Sequence, residues 1–96
     1  MHIEQLLREK SAQIQEIAAK HGARSIRVFG SVARGQAGPE SDIDFLVDTA
    51  PTTSSWFPAG LILDLEEILG RHVQIVTENG LNPHLRDRVL REAIHL

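Results

Sequence analysis

The sequence predicts an α/β (α+β) domain, a small mixed β-sheet with helices packed mainly on one face. Apolar residues recur at three- and four-residue steps in three stretches, and polar and apolar residues alternate in short runs between them. Glycines and prolines mark most of the junctions. The predicted order is helix, strand, loop, strand, helix, strand, helix.

From Ile3 to His21, the residues Ile3, Leu6, Leu7, Ile14, Ile17 and Ala18 lie on one face of a single amphipathic helix, and Gly22 stands at its C-terminal stop. Ser25 to Phe29 sets Ile26 and Val28 against Arg27, a short strand that breaks at Gly30. Ser31 to Gly35 is long enough for one helical turn, and Gly38-Pro39 makes the stretch from Gln36 to Glu40 a loop. Asp42 to Asp48 is the second strand. Residues 49–58 hold Thr, Ser, Pro51 and Pro58 around Trp56-Phe57, and form the longest irregular segment. Leu61, Ile62, Leu65, Ile68 and Leu69 share a helix face that stops at Gly70. Val73 to Thr77 is the third strand. Asn82 is an N-cap before Pro83, and Leu85, Val89, Leu90, Ala93 and Ile94 continue as the last helix.

At 96 residues the chain is sized for one domain, 1–96, with one small core. Hydrophobic residues at 42% and charged residues at 24% are ordinary globular usage, which argues against disordered, collagen-like and membrane classes. Without cysteine there is neither a disulfide framework nor a thiolate metal site. No apolar run approaches the roughly 18 residues of a membrane span, and Met1 to Gln5 mixes charge with apolar residues. The expected compartment is therefore the cytoplasm, with no signal peptide, no anchor and no membrane partner. A net charge of −3 makes direct nucleic-acid binding an unfavourable expectation.

Asp42 and Asp44 are two residues apart on a predicted strand, so both side chains leave one face, about 6.6 to 7 Å apart at the backbone. Ile43 and Phe45 then point into the core. Two close carboxylates repel, and a divalent cation stabilises both as anions. Mg²⁺ suits them, because it takes hard oxygen ligands from one or two carboxylates together with substrate phosphates. The pair thus implies a nucleotide. Upstream, Gly30 permits a sharp turn and a close approach to a ligand, while Ser31 adds a hydroxyl and an amide, so the two read as a phosphate cradle.

The stretch GSVARGQAGPESDIDFLVD resembles the signature of the DNA polymerase beta nucleotidyltransferase superfamily. The leading helix, GSxARG, SDIDFLV, the helix ending LEEILGR, the strand after it and NPHLRDRVLREA are similar to the minimal nucleotidyltransferase family, over nearly the whole chain. The resemblance implies a polymerase-beta-like fold with a two-metal Mg²⁺ site and ATP or another nucleoside triphosphate as substrate. It makes Asp42 and Asp44 the catalytic, metal-ligating carboxylates, and Gly30 and Ser31 the phosphate-binding turn with Arg34. The family's third carboxylate stands in a pattern like G-R-x-V-D-h-V, where this chain reads Gly70-Arg71-His72-Val73-Gln74-Ile75-Val76. Gln74 can lend an oxygen to a metal, but it brings no negative charge and cannot take a proton from an attacking hydroxyl. Asp48 and Glu78 share strand parity with Asp44 and Gln74, yet each lies four residues along, about 13 Å, too far to substitute.

Other residues carry plainer expectations. Asp48 reads as a solvated strand end, and Arg86, Arg88 and Arg91 as a solvated helix face. Arg34 either meets a triphosphate or braces its loop through a salt bridge. Trp56 and Phe57 read as a lid on the core, and the five histidines show no paired metal spacing.

Small nucleotidyltransferases of this type resemble antitoxins that silence a helical HEPN ribonuclease by transferring AMP from ATP to it. This is the leading expectation. The alternative is a catalytically impaired module, disarmed by Gln74, that neutralises its partner by complex formation. A third reading, transfer to RNA or an aminoglycoside-like molecule, lacks a separate acceptor domain in 96 residues. Homo-oligomer and hetero-oligomer both remain open.

Overall fold

The structure is a computed structural model that describes residues 2–53 and 55–96. Met1, read with the N-terminal segment, and Ser54, read with the long loop, lie outside the described residues. In chain order the elements are α1 (Ile3–Glu9), α2 (Ser11–Lys20), β1 (Ala23–Phe29), β2 (Ile43–Thr49), α3 (Ala59–Leu69), β3 (Val73–Thr77), a 3₁₀ turn (Glu78–Gly80), α4 (Pro83–Glu92) and β4 (Ile94–His95).

The sheet order is β3-β2-β1-β4. β2 runs antiparallel to β1 and parallel to β3, so the sheet is mixed, and α3 supplies the crossover that a parallel neighbour requires. Ile43, Phe45 and Val47 alternate into the main core, where they join Ile26 and Val28 of β1, Ile14 and Ala18 of α2, and Leu61, Leu65 and Leu69 of α3. Leu46 points the other way and is buried apart from that core, as is Val89 of α4. The face that Leu46 shares with Asp44 and Asp48 is the one where polar chemistry gathers.

Two differences from the expected elements have physical causes. The N-terminal helix is two helices that meet at Lys10, whose φ −97°, ψ 4° leaves the helical well. The bonds Lys10 N to Leu6 O (3.0 Å) and Ile14 N to Lys10 O (2.8 Å) continue across the break. The apolar phase is therefore hardly disturbed, and periodicity cannot reveal the bend. The last helix does not continue through Ile94. It ends at Glu92, Ala93 turns extended at φ −65°, ψ 136°, and Ile94–His95 pair antiparallel with Val28 and Arg27. An open edge of β1 offers unpaired backbone groups, and two residues are too few for alternation to show.

Smaller departures follow the same logic. β2 begins at Ile43, so Asp42 stands just before the strand. Glu78 belongs to the 3₁₀ turn, and the strand parity assigned to it does not apply. Phe57 packs against the core, but Trp56 is 77% exposed and is no lid. Asn82 caps α4 as expected, its Oδ1 accepting from His84 N at 2.9 Å. Among the described residues no helix is long and apolar enough to cross a membrane.

Candidate active site

The site forms at the ends of three strands. Phe29, at the end of β1, lies opposite Asp44 across the antiparallel pair, and Gln74 lies opposite Asp44 across the parallel pair. The turn after β1, the start of β2 and the start of β3 therefore converge, which brings Gly30, Asp42, Asp44 and Gln74 together.

Gly30 has φ +77°, a left-handed conformation that L side chains rarely adopt. A β-carbon at this position would lie 2.3 Å from Asp44 Oδ2, so the carboxylate and the turn are in direct contact only because the residue is glycine. The single turn that follows is closed by Arg34 N to Gly30 O at 3.1 Å and Gln36 N to Ser31 O at 2.8 Å. Ser31 sits half-buried at its start.

Burial pushes the Asp44 carboxyl above its ordinary pKa, the neighbouring charges of Asp42 and Glu92 push the same way, and the Arg34 guanidinium opposes them. Gln74 Nε2 donates to Asp42 Oδ2 at 3.2 Å, so the amide caps a carboxylate oxygen without bringing a charge to it. A half-turn of that amide would present Oε1 instead. Among the described residues no three His, Cys, Asp or Glu side chains are placed to hold a metal ion. The protein's own hard donors are thus two carboxylates and an amide oxygen. That set fits Mg²⁺ only if phosphate oxygens and water complete it.

The loop before Asp42 is held from outside. Arg71, just ahead of β3, donates to the carbonyl of Ser41 and to that of Gly38 (3.2 Å), while Ser41 Oγ accepts from Gly38 N at 2.8 Å. Arg71 was not singled out in the sequence, since only the paired strands show that it reaches back thirty residues.

Arg34 is engaged as a brace. It pairs with Glu92, and its Nε donates to Gln36 Oε1 at 3.1 Å. Glu92 is the other residue that the sequence reading missed. Its side chain, only 13% exposed, also accepts from Gly30 N at 2.9 Å and lies 3.8 Å from Arg88. The one sequence signal is its place inside NPHLRDRVLREA, whose cap, apolar residues and arginines carry the expectations while Glu92 itself carries none. Of the remaining residues, Asp48 pairs with Arg24 at 3.3 Å and Glu78 with Arg27, both away from the Asp42/Asp44 pair. Arg86 donates to Glu78 O at 2.8 Å, and Arg91 donates to Asp87 O within its own helix at 3.2 Å.

Residues 10–96 match the family described as "Nucleotidyltransferase domain". Protein adenylyltransferase MntA of Thermococcus cleftensis is 36% identical over 86 residues, which cover 90% of this chain and 87% of that protein. A candidate protein adenylyltransferase of Methanocaldococcus jannaschii is 39% identical over 88 residues, 92% of this chain and 95% of that one. A solved structure described as a candidate minimal nucleotidyltransferase superposes with a TM-score of 0.87 at 48% identity, over 100% of this chain and 97% of that chain. A crystal structure described as a toxin-antitoxin with AMP-PNP shares the fold, with a TM-score of 0.73 at 23% identity over 88% and 69% of the two chains.

Proposed function

We infer that this chain, which belongs to the nucleotidyltransferase domain family, transfers AMP from ATP to a hydroxyl of a partner protein, and that the partner is a HEPN ribonuclease silenced by the modification. The observation that carries the reading is the contact of the left-handed Gly30 turn with Asp44, beside Asp42, at the mouth of the sheet. The relatives named as protein adenylyltransferases support a protein acceptor, and the shared fold of a toxin-antitoxin complex is consistent with one.

Each residue then has a defined task. Gly30 and Ser31 bring backbone amide and hydroxyl donors to the triphosphate, with Arg34 next to them. Asp42 and Asp44 hold Mg²⁺, and the cation, when bound, supplies positive charge against the nucleotide's phosphates. The acceptor oxygen forms a bond to the α-phosphorus as the bond to the bridging oxygen breaks, and pyrophosphate leaves. Gln74 cannot take the acceptor's proton, so that proton goes to water or to a base of the partner. The site lies in the cytoplasm in this reading, and one domain, 1–96, performs the transfer.

The hydrogen bond from Gln74 to Asp42 specifically favours a second reading. A carboxylate there would contribute charge, whereas the amide spends its donor on one of the two ligands that remain. The chain would then bind nucleotide and partner but transfer slowly, and neutralisation would follow from complex formation.

Incubation with ATP labelled on the α-phosphate, Mg²⁺ and the HEPN partner separates the two. Transfer by the wild-type protein that disappears in Asp42→Ala/Asp44→Ala supports the enzyme. Silence of the wild type with transfer recovered in Gln74→Asp, by about 10²-fold or more over background, supports the impaired module. Transfer undiminished in the double alanine variant would sink both.

A further inference from the structure

Glu92 is a largely buried carboxylate on the nucleotide side of the molecule, and its hydrogen-bond and ion-pair partners among the described residues are Gly30 N–H at 2.9 Å, the Arg34 guanidinium, and Arg88 at 3.8 Å. Two of these three partners, Gly30 and Arg34, are the groups that a phosphate would use. A carboxylate and a phosphate present the same chemistry to such donors, anionic oxygens that accept charge-assisted hydrogen bonds. The carboxylate comes from the last residue of α4, directly before the chain leaves to pair with β1 as β4. Asp42 and Asp44 already place two negative groups beside the same turn, so a third raises the electrostatic cost of bringing in a triphosphate.

We propose that Glu92 is an internal rival of the nucleotide's phosphate: its carboxylate fills the Gly30–Arg34 cradle in the free protein and must be displaced when Mg·ATP binds. The inference rests on the nucleotide-binding reading above and adds a residue that sets affinity. Glu92→Gln removes the charge and frees the guanidinium while keeping an acceptor for Gly30 N–H. A residue with a purely structural role loses affinity on such a change. A rival gains it.

Titration calorimetry with Mg·ATP, and separately with magnesium tripolyphosphate, tests this on wild type and Glu92→Gln. The expected result is binding about five- to tenfold tighter in the variant for both ligands, the scale of removing one like charge at a partly screened distance. Equal or weaker binding with the fold retained, or a gain for ATP but not for tripolyphosphate, overturns the proposal and leaves nucleotide binding standing. Failure of both proteins to bind either ligand overturns the proposal and the nucleotide reading together. Should Glu92→Gln fail to fold, ¹³C and ¹⁵N spectra of the wild type decide. The Glu92 carboxyl and the Gly30 amide are expected to shift in step with saturation by Mg·ATP, and a Glu92 resonance unmoved at saturation overturns the proposal.

Discussion

Opposing charges meet at Asp44, and the balance fixes how the site responds to pH. Burial, Asp42 and Glu92 raise its pKa against the pull of Arg34. A cation binds the carboxylate only after the proton has left. Mg²⁺ affinity is therefore expected to fall, as pH drops, in a range above that of an ordinary carboxylate. Binding titrations from pH 7 down to pH 4 check this, and an acid limb at the ordinary carboxylate range would contradict it. The same residue makes Gly30 intolerant of change. Gly30→Ala puts a β-carbon 2.3 Å from Asp44 Oδ2 in a backbone conformation with φ +77°. The variant is expected to lose about 1–3 kcal/mol of stability and most of its Mg·ATP binding, because the turn and the carboxylate must separate. Thermal melts and calorimetry read both, and unchanged affinity would show that the contact is unnecessary.

Elements with strong periodicity were legible because each buries a face large enough to leave a pattern. Leu61, Leu65 and Leu69 mark α3, and Ile43, Phe45 and Val47 mark β2, all six buried in the structure. The bend at Lys10 and the strand β4 were not legible, since one keeps the apolar phase and the other is two residues long. Contacts between elements lie further out of reach. His21, buried at the end of α2, meets Asp64 of α3 with Nε2 to Oδ2 at 2.7 Å, although 43 residues separate them. The hydrogen bond to His21 lowers the Asp64 pKa. A carboxylate with a folded pKa below its unfolded value contributes stability above the unfolded value and loses it as pH falls through the folded one. The α2–α3 tie is thus expected to weaken below the ordinary carboxylate range. Asp64→Asn should flatten the stability curve there, measured by urea melts between pH 3 and pH 6. A curve parallel to that of the wild type would remove Asp64 from the account.

On the scale of the whole molecule, four stretches of the sequence supply one candidate site: Gly30, Asp42 with Asp44, Arg71 with Gln74, and Glu92. Gly30, Asp42 and Asp44 could be read from the chain because they fall within fifteen residues, the glycine as the break after a strand and the two aspartates by the strand period. Gln74 could be read because a resemblance marked its place. Arg71 and Glu92 became visible only when sheet pairing brought β3 beside β2 and α4 back to the β1 turn. A site assembled this way holds like charges together at the expense of the fold, and that tension yields a test of opposite signs. Without Mg²⁺, Asp44→Asn removes a carboxylate disfavoured by burial and by its neighbours, so the variant is expected to melt a few degrees above the wild type, after allowance for solvent screening. With Mg·ATP at a hundred times the wild-type Kd, ligand linkage adds about 2.7 kcal/mol to the wild type and little to a variant that has lost half of its charged pair. The order of the two melting temperatures should therefore invert on adding Mg·ATP. If Asp44→Asn is the less stable protein without the ligand, the carboxylate stabilises the fold and the opposition is absent. If the order stays the same with the ligand present, Asp44 does not hold the cation.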